Sequence, residues 1–318
     1  MSRFGVALPQ SFSLRSNSGE DMRSFLQNVE AAGFDSLWTQ EQLLGRDPSL
    51  EPLTSLAYAA ALTSRVRLGT GTVVAPLRDP ILLAKTAATI DVMSGGRLIL
   101  GLSIGEVPSI YRAVGVSMSE RGRRIDEIVE ILKALWSDEL ADHEGRFWSF
   151  NDVQMEPKPE QDPHPEVWFG GHSRVALKRV AAVGSGWIGA GGSTIEDFGV
   201  RVGWLAEELE AAGRTRSEVT VAKKLYVAVN QDPSVAQAGL ETWFKIHWPP
   251  SFDALHMART VGVAGNPEMV ATAIRDTADL GADLVILNPV FDEDVQLEGL
   301  ISTLQDFDLM PKGPPNES

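Results

Sequence analysis

Two rhythms alternate along this chain: short apolar runs, and longer stretches whose apolar residues recur every three or four positions. Phe4 to Leu8 predicts a first strand. Met22, Phe25, Leu26 and Val29 then share one helical face, and Gly33 is placed to end that helix. Phe34 to Trp38 predicts a second strand, closing in Thr39-Gln40-Glu41-Gln42, and a helix over about Leu53 to Leu62 follows. Val66 and Leu68 alternate into Gly69-Thr70-Gly71-Thr72, a strand that opens into a backbone-rich loop. Asp79-Pro80 starts the next helix: a capping carboxylate precedes proline at the first helical position, where a missing N–H costs nothing. Leu83, Ala84, Ala87 and Ile90 form its apolar face, and Gly95 stops it. Leu98 to Leu102 is apolar almost throughout, as a strand covered on both faces should be, and ends in Ser103-Ile104-Gly105-Glu106. Strand, helix and strand in this order make a βαβ unit, which needs a parallel sheet. Both strands expose glycine and small polar groups at the same end of it.

The same grammar continues. Ser117-x-x-Glu120 predicts a capping box ahead of a strongly periodic helix bearing Ile125, Ile128, Val129, Leu132, Leu135 and Trp136. Residues 140–165 change character. Gly145, Phe147, Trp148 and Phe150 suggest a short hairpin, and Pro157, Pro159, Pro163 and Pro165 a stiff connector. Glu166 to Phe169, Gly186 to Ile188 and Val219 to Val229 predict the fifth, sixth and seventh strands. Residues 230–264 read as a second irregular insertion rich in Trp243, Phe244, Trp248, Pro249, Pro250 and Phe252. A helix from Asn266-Pro267, a strand over Asp283 to Leu287 and a closing helix with Leu297, Leu300, Ile301 and Leu304 complete the chain. Eight strands alternating with helices favour a single-domain α/β protein, a (β/α)8 TIM barrel over 1–310, over an open doubly wound sheet. Periodicity alone leaves the two close. Residues 311–318 read as a disordered tail.

Composition narrows the chemistry. The net charge of −15 argues against nucleic acid or an anionic membrane surface as partner. Without cysteine there is no disulfide, thiolate nucleophile or cysteine metal site, and the five histidines form no metal spacing. No apolar run approaches the ~20 residues of a membrane span. The first strand begins almost at the initiator methionine, so a cytoplasmic protein without a signal peptide is expected.

The stretch from Arg67 through Gly101, R-L-G-T-G-T-V-V-A-P-L-R-D-P-I-L-L-A-K-T-A-A-T-I-D-V-M-S-G-G-R-L-I-L-G, resembles the luciferase-like flavin- and deazaflavin-dependent oxidoreductases. A second segment, Pro165-Glu-Val-Trp-Phe-Gly-Gly-His-Ser173 with the following Ala176-Leu177 and Gly186-Trp187, resembles the same family. The resemblance spans nearly the whole chain and selects the TIM barrel. It also implies a homodimer and a small-molecule substrate.

In such a barrel the loops after the strands build the site. Gly170, Gly171, His172 and Ser173 precede a helix whose free N–H groups suit a cofactor phosphate, with His172 contributing its backbone N–H. A plain N-cap at Ser173 after a tight turn would look alike. In deazaflavin-binding relatives the bond matching Gly71–Thr72 is a non-proline cis peptide set against the ring; by residues alone it reads as an ordinary strand end. The resemblance places Glu106 near the pyrimidine edge of the cofactor as proton donor, the alternative being a solvated loop carboxylate. FMN-using luciferases carry an arginine just before the glycine matching Gly105, and here that residue is Ile104. Glu41 matches the acidic half of the family's acidic-histidine pair, or else forms a buried ion pair with a strand-end arginine. Gln42 stands where the histidine base would be. Glutamine hydrogen-bonds a carbonyl but takes no proton at neutral pH, so reduction becomes the expected direction. The resemblance therefore implies hydride transfer with coenzyme F420, FMN being the alternative cofactor. An FMN-dependent monooxygenase, a non-catalytic cofactor-binding barrel and an unrelated phosphate-binding barrel enzyme are the competing readings. Trp148, Trp243, Trp248 and Phe252 are either a substrate lid or insertion packing.

Overall fold

A computed structural model describes residues 3–10, 19–45, 48–248 and 253–310. Eight parallel strands close into a barrel: β1 Arg3–Ala7, β2 Ser36–Thr39, β3 Arg67–Thr70, β4 Leu98–Ser103, β5 Glu166–Gly170, β6 Gly186–Gly189, β7 Thr220–Val229 and β8 Leu284–Pro289. Closure is shown by β8 pairing with β1, Val6 opposite Leu287, and by β7 pairing with both β6 and β8. The helices that follow the strands are α1 Gly19–Ala32, α2 Pro52–Leu62, α3 Pro80–Ser94, α4 Arg121–Ser137, α5 Arg174–Val183, α6 Ile195–Ala211, α7 Pro267–Asp279 and α8 Glu293–Asp306. This is one TIM-barrel domain.

Strand alternation divides the core in two. Outward side chains such as Val6, Leu37, Leu68, Leu100, Val167 and Val221 join the helices in one large cluster. Inward side chains Trp38, Ile99, Trp168, Ile188, Ala222, Leu284 and Ile286 fill the barrel. Trp38 and Trp168 lie 5.3 Å apart between ring centroids. They fit because neighbouring strand positions carry no side chain: a Cβ on Gly69 would stand 2.5 Å from the Trp38 ring.

Local signals act as expected at α3. The Asp79 carboxylate accepts from the N–H groups of Ile81 at 3.0 Å and Leu82 at 2.9 Å, and Gly95 ends the helix at φ +67. The hairpin pairs Ala141–Glu144 with Ser149–Val153, and its turn is anchored by the N–H groups of Arg146, Phe147 and Trp148 donating to Glu127.

Two expectations fail. Ser117 makes no capping bond; its hydroxyl meets Ser119 instead, while Glu120 pairs with Arg124 and Arg146. A 3-10 turn over Met118–Glu120 intervenes before α4, and it spoils the box geometry. The second insertion is not irregular. It holds helices Pro233–His247 and Ala254–Thr260 and a strand, Gly262–Gly265, paired with β7. Ala236, Leu240, Trp243 and Phe244 bury one face of the longer helix, so its aromatics pack inward rather than loop outward. Pro249, Pro250 and Phe252 lie outside the described residues, as do the expected tail, 311–318, and most of the loop after β1. Among the described residues no helix is long and apolar enough to cross a membrane.

Candidate functional site

The C-terminal ends of β2, β4 and β7 surround a cavity of about 600 Å³. β2 contributes Gln40, Glu41 and Gln42, and β4 contributes Gly105 and Glu106. Tyr226 of β7 and Trp243, His247 and Trp248 of the insertion close the opposite wall. Tyr226 lies 5.1 Å from Trp243 and 5.2 Å from Phe244, so the wall is a packed aromatic cluster rather than a row of loose side chains.

The structure thus gathers Glu41, Gln42, Gly105 and Glu106 at one cavity. Glu41 is already engaged there. One carboxylate oxygen accepts from the Val74 N–H; the other accepts from Arg78 through both Nε, at 3.1 Å, and Nη2. Its side chain is 2% exposed, and Arg78 also reaches Glu51 at 2.7 Å. Burial opposes the Arg78 charge, but the Glu41 carboxylate outweighs it and holds the guanidinium above its usual pKa. Glu106 is different. It is exposed on the loop after β4, facing the cavity. Ile104 packs its side chain against the outer core, and its carbonyl accepts from the buried Tyr111 hydroxyl, whose pKa burial pushes up to about 12. Gly105 has φ +62, and a Cβ there would meet Val74 at 2.7 Å. The loop therefore turns tightly against the end of β3.

The Gly71–Thr72 peptide is cis. Gly71 borders a second, small cavity of about 10 Å³ inside the barrel, with Trp38, Gln40, Ile188 and Lys224. Gly170, Gly171, His172 and Ser173 do not line the large cavity. Gly170 is instead pressed against Thr72, since a Cβ there would sit 2.9 Å from Thr72 Cγ2. Ser173 caps α5 by accepting from the Ala176 N–H at 3.2 Å, and the His172 carbonyl accepts from Arg201 at 3.2 Å. Gly171 has φ +129, a backbone conformation that side-chain-bearing residues rarely adopt. The first turn of α5 remains a place where backbone N–H groups face outward.

Sequence reasoning passed over Lys223 and Lys224. Adjacent on β7, they face opposite sides of the sheet, and both are buried. Lys223 Nζ donates to Ala190 O at 2.6 Å, Ser193 O at 2.7 Å and Ser193 Oγ at 3.0 Å, which ties down the loop after β6. Burial, helped by the Arg201 charge, pulls its pKa down to about 7, while those three oxygens favour the ammonium form. Lys224 points into the barrel, donates to Gln40 Oε1 and lies 4.8 Å from the Tyr226 ring. Burial alone pulls it to about 7 and pushes Tyr226 to about 12. The signal was available: two lysines inside a ten-residue strand apolar on both faces are a buried polar anomaly. Among the described residues no cluster of histidine and carboxylates could hold a metal ion.

A closed eight-stranded parallel barrel with its cavity at the carboxyl ends of the strands defines a TIM-barrel protein whose site lies at the loop face. The chain belongs to the luciferase-like monooxygenase family, whose model matches residues 2–284. It is 29% identical to the F420-dependent glucose-6-phosphate dehydrogenase of Kineococcus radiotolerans over 288 residues, 82% of this chain and 84% of that protein. It is 32% identical to the FMNH(2)-dependent dimethylsulfone monooxygenase of Pseudomonas putida over 197 residues, 60% of this chain but 54% of that protein. The coenzyme F420 dependent tetrahydromethanopterin reductase of Methanopyrus kandleri superimposes with a TM-score of 0.79 at 19% identity, covering 95% of this chain and 97% of that one, which establishes the shared fold. Relatives of this chain thus include F420- and FMN-dependent oxidoreductases.

Proposed function

We propose that this protein is an F420-dependent oxidoreductase that works as a reductase on a small organic substrate. The observation that carries this is the end of β4. Glu106 enters the cavity there, and two positions earlier the chain carries the apolar Ile104, packed against the outer core, where FMN-using relatives carry an arginine. The residues present fit a planar ring of this kind: the cavity is large enough and one wall is aromatic. Gly105 would meet the ring there, with the Gly71–Thr72 peptide beside the small cavity that shares Gln40 with the large one. The start of α5, from Gly170 to Ser173, would hold the phosphate through backbone N–H groups. When bound, the cofactor supplies the hydride.

The chain's own part is orientation and a proton. Glu106 is the cavity carboxyl free to deliver a proton to the substrate atom that becomes basic, the general-acid role. Gln42, which lines the same cavity, can hold a substrate carbonyl but cannot take a proton from an alcohol, which favours reduction over alcohol oxidation. Glu41 keeps the β2 and β3 ends together through Val74 and Arg78, so its contribution is positional.

An FMN-dependent monooxygenase is the second reading, supported by the similarity to the dimethylsulfone enzyme. A panel of enones and imines mixed with reduced F420 tests the proposal. Reoxidation of the cofactor by at least one of them is expected. Binding without turnover across the panel would mark a cofactor-binding barrel without catalysis.

A further inference from the structure

Gln40 is held at two levels. Its backbone N–H donates to Gln10 Oε1 at 2.6 Å, and its carbonyl accepts from Gln10 Nε2 at 3.2 Å. Its side-chain oxygen Oε1 accepts from Lys224 Nζ. An ammonium group can only donate, so it accepts no amide N–H and leaves the glutamine no choice of orientation. The oxygen must face the lysine, and the Nε2 hydrogens must point elsewhere. Gln40 borders both cavities: the small one it shares with Lys224 and Gly71, and the large one proposed above to take the cofactor.

We propose that Lys224 is a positioning residue that locks the Gln40 amide with its NH2 group toward the large cavity, making Gln40 the hydrogen-bond donor to a carbonyl oxygen of the bound ring. This rests on the cofactor assignment made above. The side chains that line the small cavity beside Lys224, namely Ala7, Trp38, Thr39, Ile188 and Ile286, carry no titratable group. On its own strand the titratable neighbours are Lys223, on the opposite face, and Tyr226, whose phenol stays neutral over the usual pH range. No carboxylate among them pairs with Lys224, so its charge is opposed by burial alone. A neutral Lys224 amine has a lone pair and can accept from Nε2 as well as donate. Deprotonation therefore releases the amide to flip, and the donor is lost from the cavity.

The test is fluorescence titration of F420 and of FMN into the full-length wild type and Lys224→Met, a substitution of similar length without the donor, at several pH values from 6 to 9. Whichever cofactor the wild type binds, Lys224→Met is expected to bind it three- to tenfold more weakly at pH 6. The ratio of the two dissociation constants should shrink toward one at pH 9. Titration of the ring itself is common to both proteins and cancels in that ratio. A ratio near one throughout, or one that stays constant with pH, overturns the lock. If Lys224→Met does not fold, Gln40→Glu decides: it keeps an oxygen toward Lys224 and replaces the donor by an acceptor, so binding should weaken at least tenfold, and unchanged binding overturns the assignment. If the wild type binds neither cofactor, the reading of the site itself fails and the role of the pair falls with it.

Discussion

Arg78 holds Glu41 from the far side of the β3 end, donating to it through Nε and Nη2 while the Val74 N–H takes the other oxygen. The pair bridges the ends of β2 and β3. Removing one partner of a buried pair leaves an uncompensated charge, which costs about 3–5 kcal/mol. Arg78 is 21% exposed, so Arg78→Met is expected at the lower end, about 3 kcal/mol, in urea denaturation. Loss of less than about 0.5 kcal/mol would mean the pair behaves as a surface contact.

Ser173 separates capping from phosphate binding. Aspartate is as good an N-cap as serine and adds a negative charge that the helix dipole favours. Ser173→Asp should therefore leave the melting temperature unchanged or slightly raised. A phosphate at the same N-terminus would be repelled, so cofactor binding should weaken at least tenfold. Unaltered binding would move the phosphate away from α5.

Glu106→Gln removes the acidic proton with little change of shape. Turnover in the reductive direction should fall by the ~10²–10⁴-fold typical of a lost general acid. Cofactor affinity should stay within about twofold of the wild type on this account, since the role lies in proton delivery. Full turnover would reduce Glu106 to a solvated loop residue. The same assay on Gln42→His should reveal some alcohol oxidation, because neutral imidazole offers the lone pair that glutamine lacks.

Lys224 also predicts how stability responds to pH. Its folded pKa is about 7, against an ordinary 10.5 when unfolded. Between those values the unfolded chain binds more protons than the folded one, so stability should rise with pH across that window and level off above it. Urea midpoints from pH 6.5 to 9.5 should show that rise in the wild type and a flatter profile in Lys224→Met. Identical slopes would place the Lys224 ammonium in a better-solvated setting than its burial implies.

Much of this molecule is legible from its sequence because the signals are local. Asp79-Pro80 and Gly95 bracket α3, and the eight strands follow from short apolar runs punctuated by glycine. The gathering of Glu41, Gln42, Gly105 and Glu106 follows from one rule, that loops after parallel strands share a face. What escaped depends on distant partners. Lys223 and Lys224 stand in an otherwise apolar strand; their burial becomes visible only when the loop after β6 and the end of β2 are in place. Ser117 and Glu120 have the spacing of a capping box, yet Arg124 and Arg146 compete for the glutamate. The helix Pro233–His247 is obscured by the aromatics and prolines around it, although Asp232 and Pro233 mark its start and Ala236, Leu240, Trp243 and Phe244 keep helical spacing.

The most direct measurement of the central claim is a paired titration of the wild-type protein with F420 and with FMN, followed by fluorescence under the same salt and pH. An apolar Ile104 where FMN-using relatives carry a cationic phosphate partner calls for tighter binding of F420. A dissociation constant at least tenfold lower for F420 is the expected result. Tighter binding of FMN would contradict the assignment.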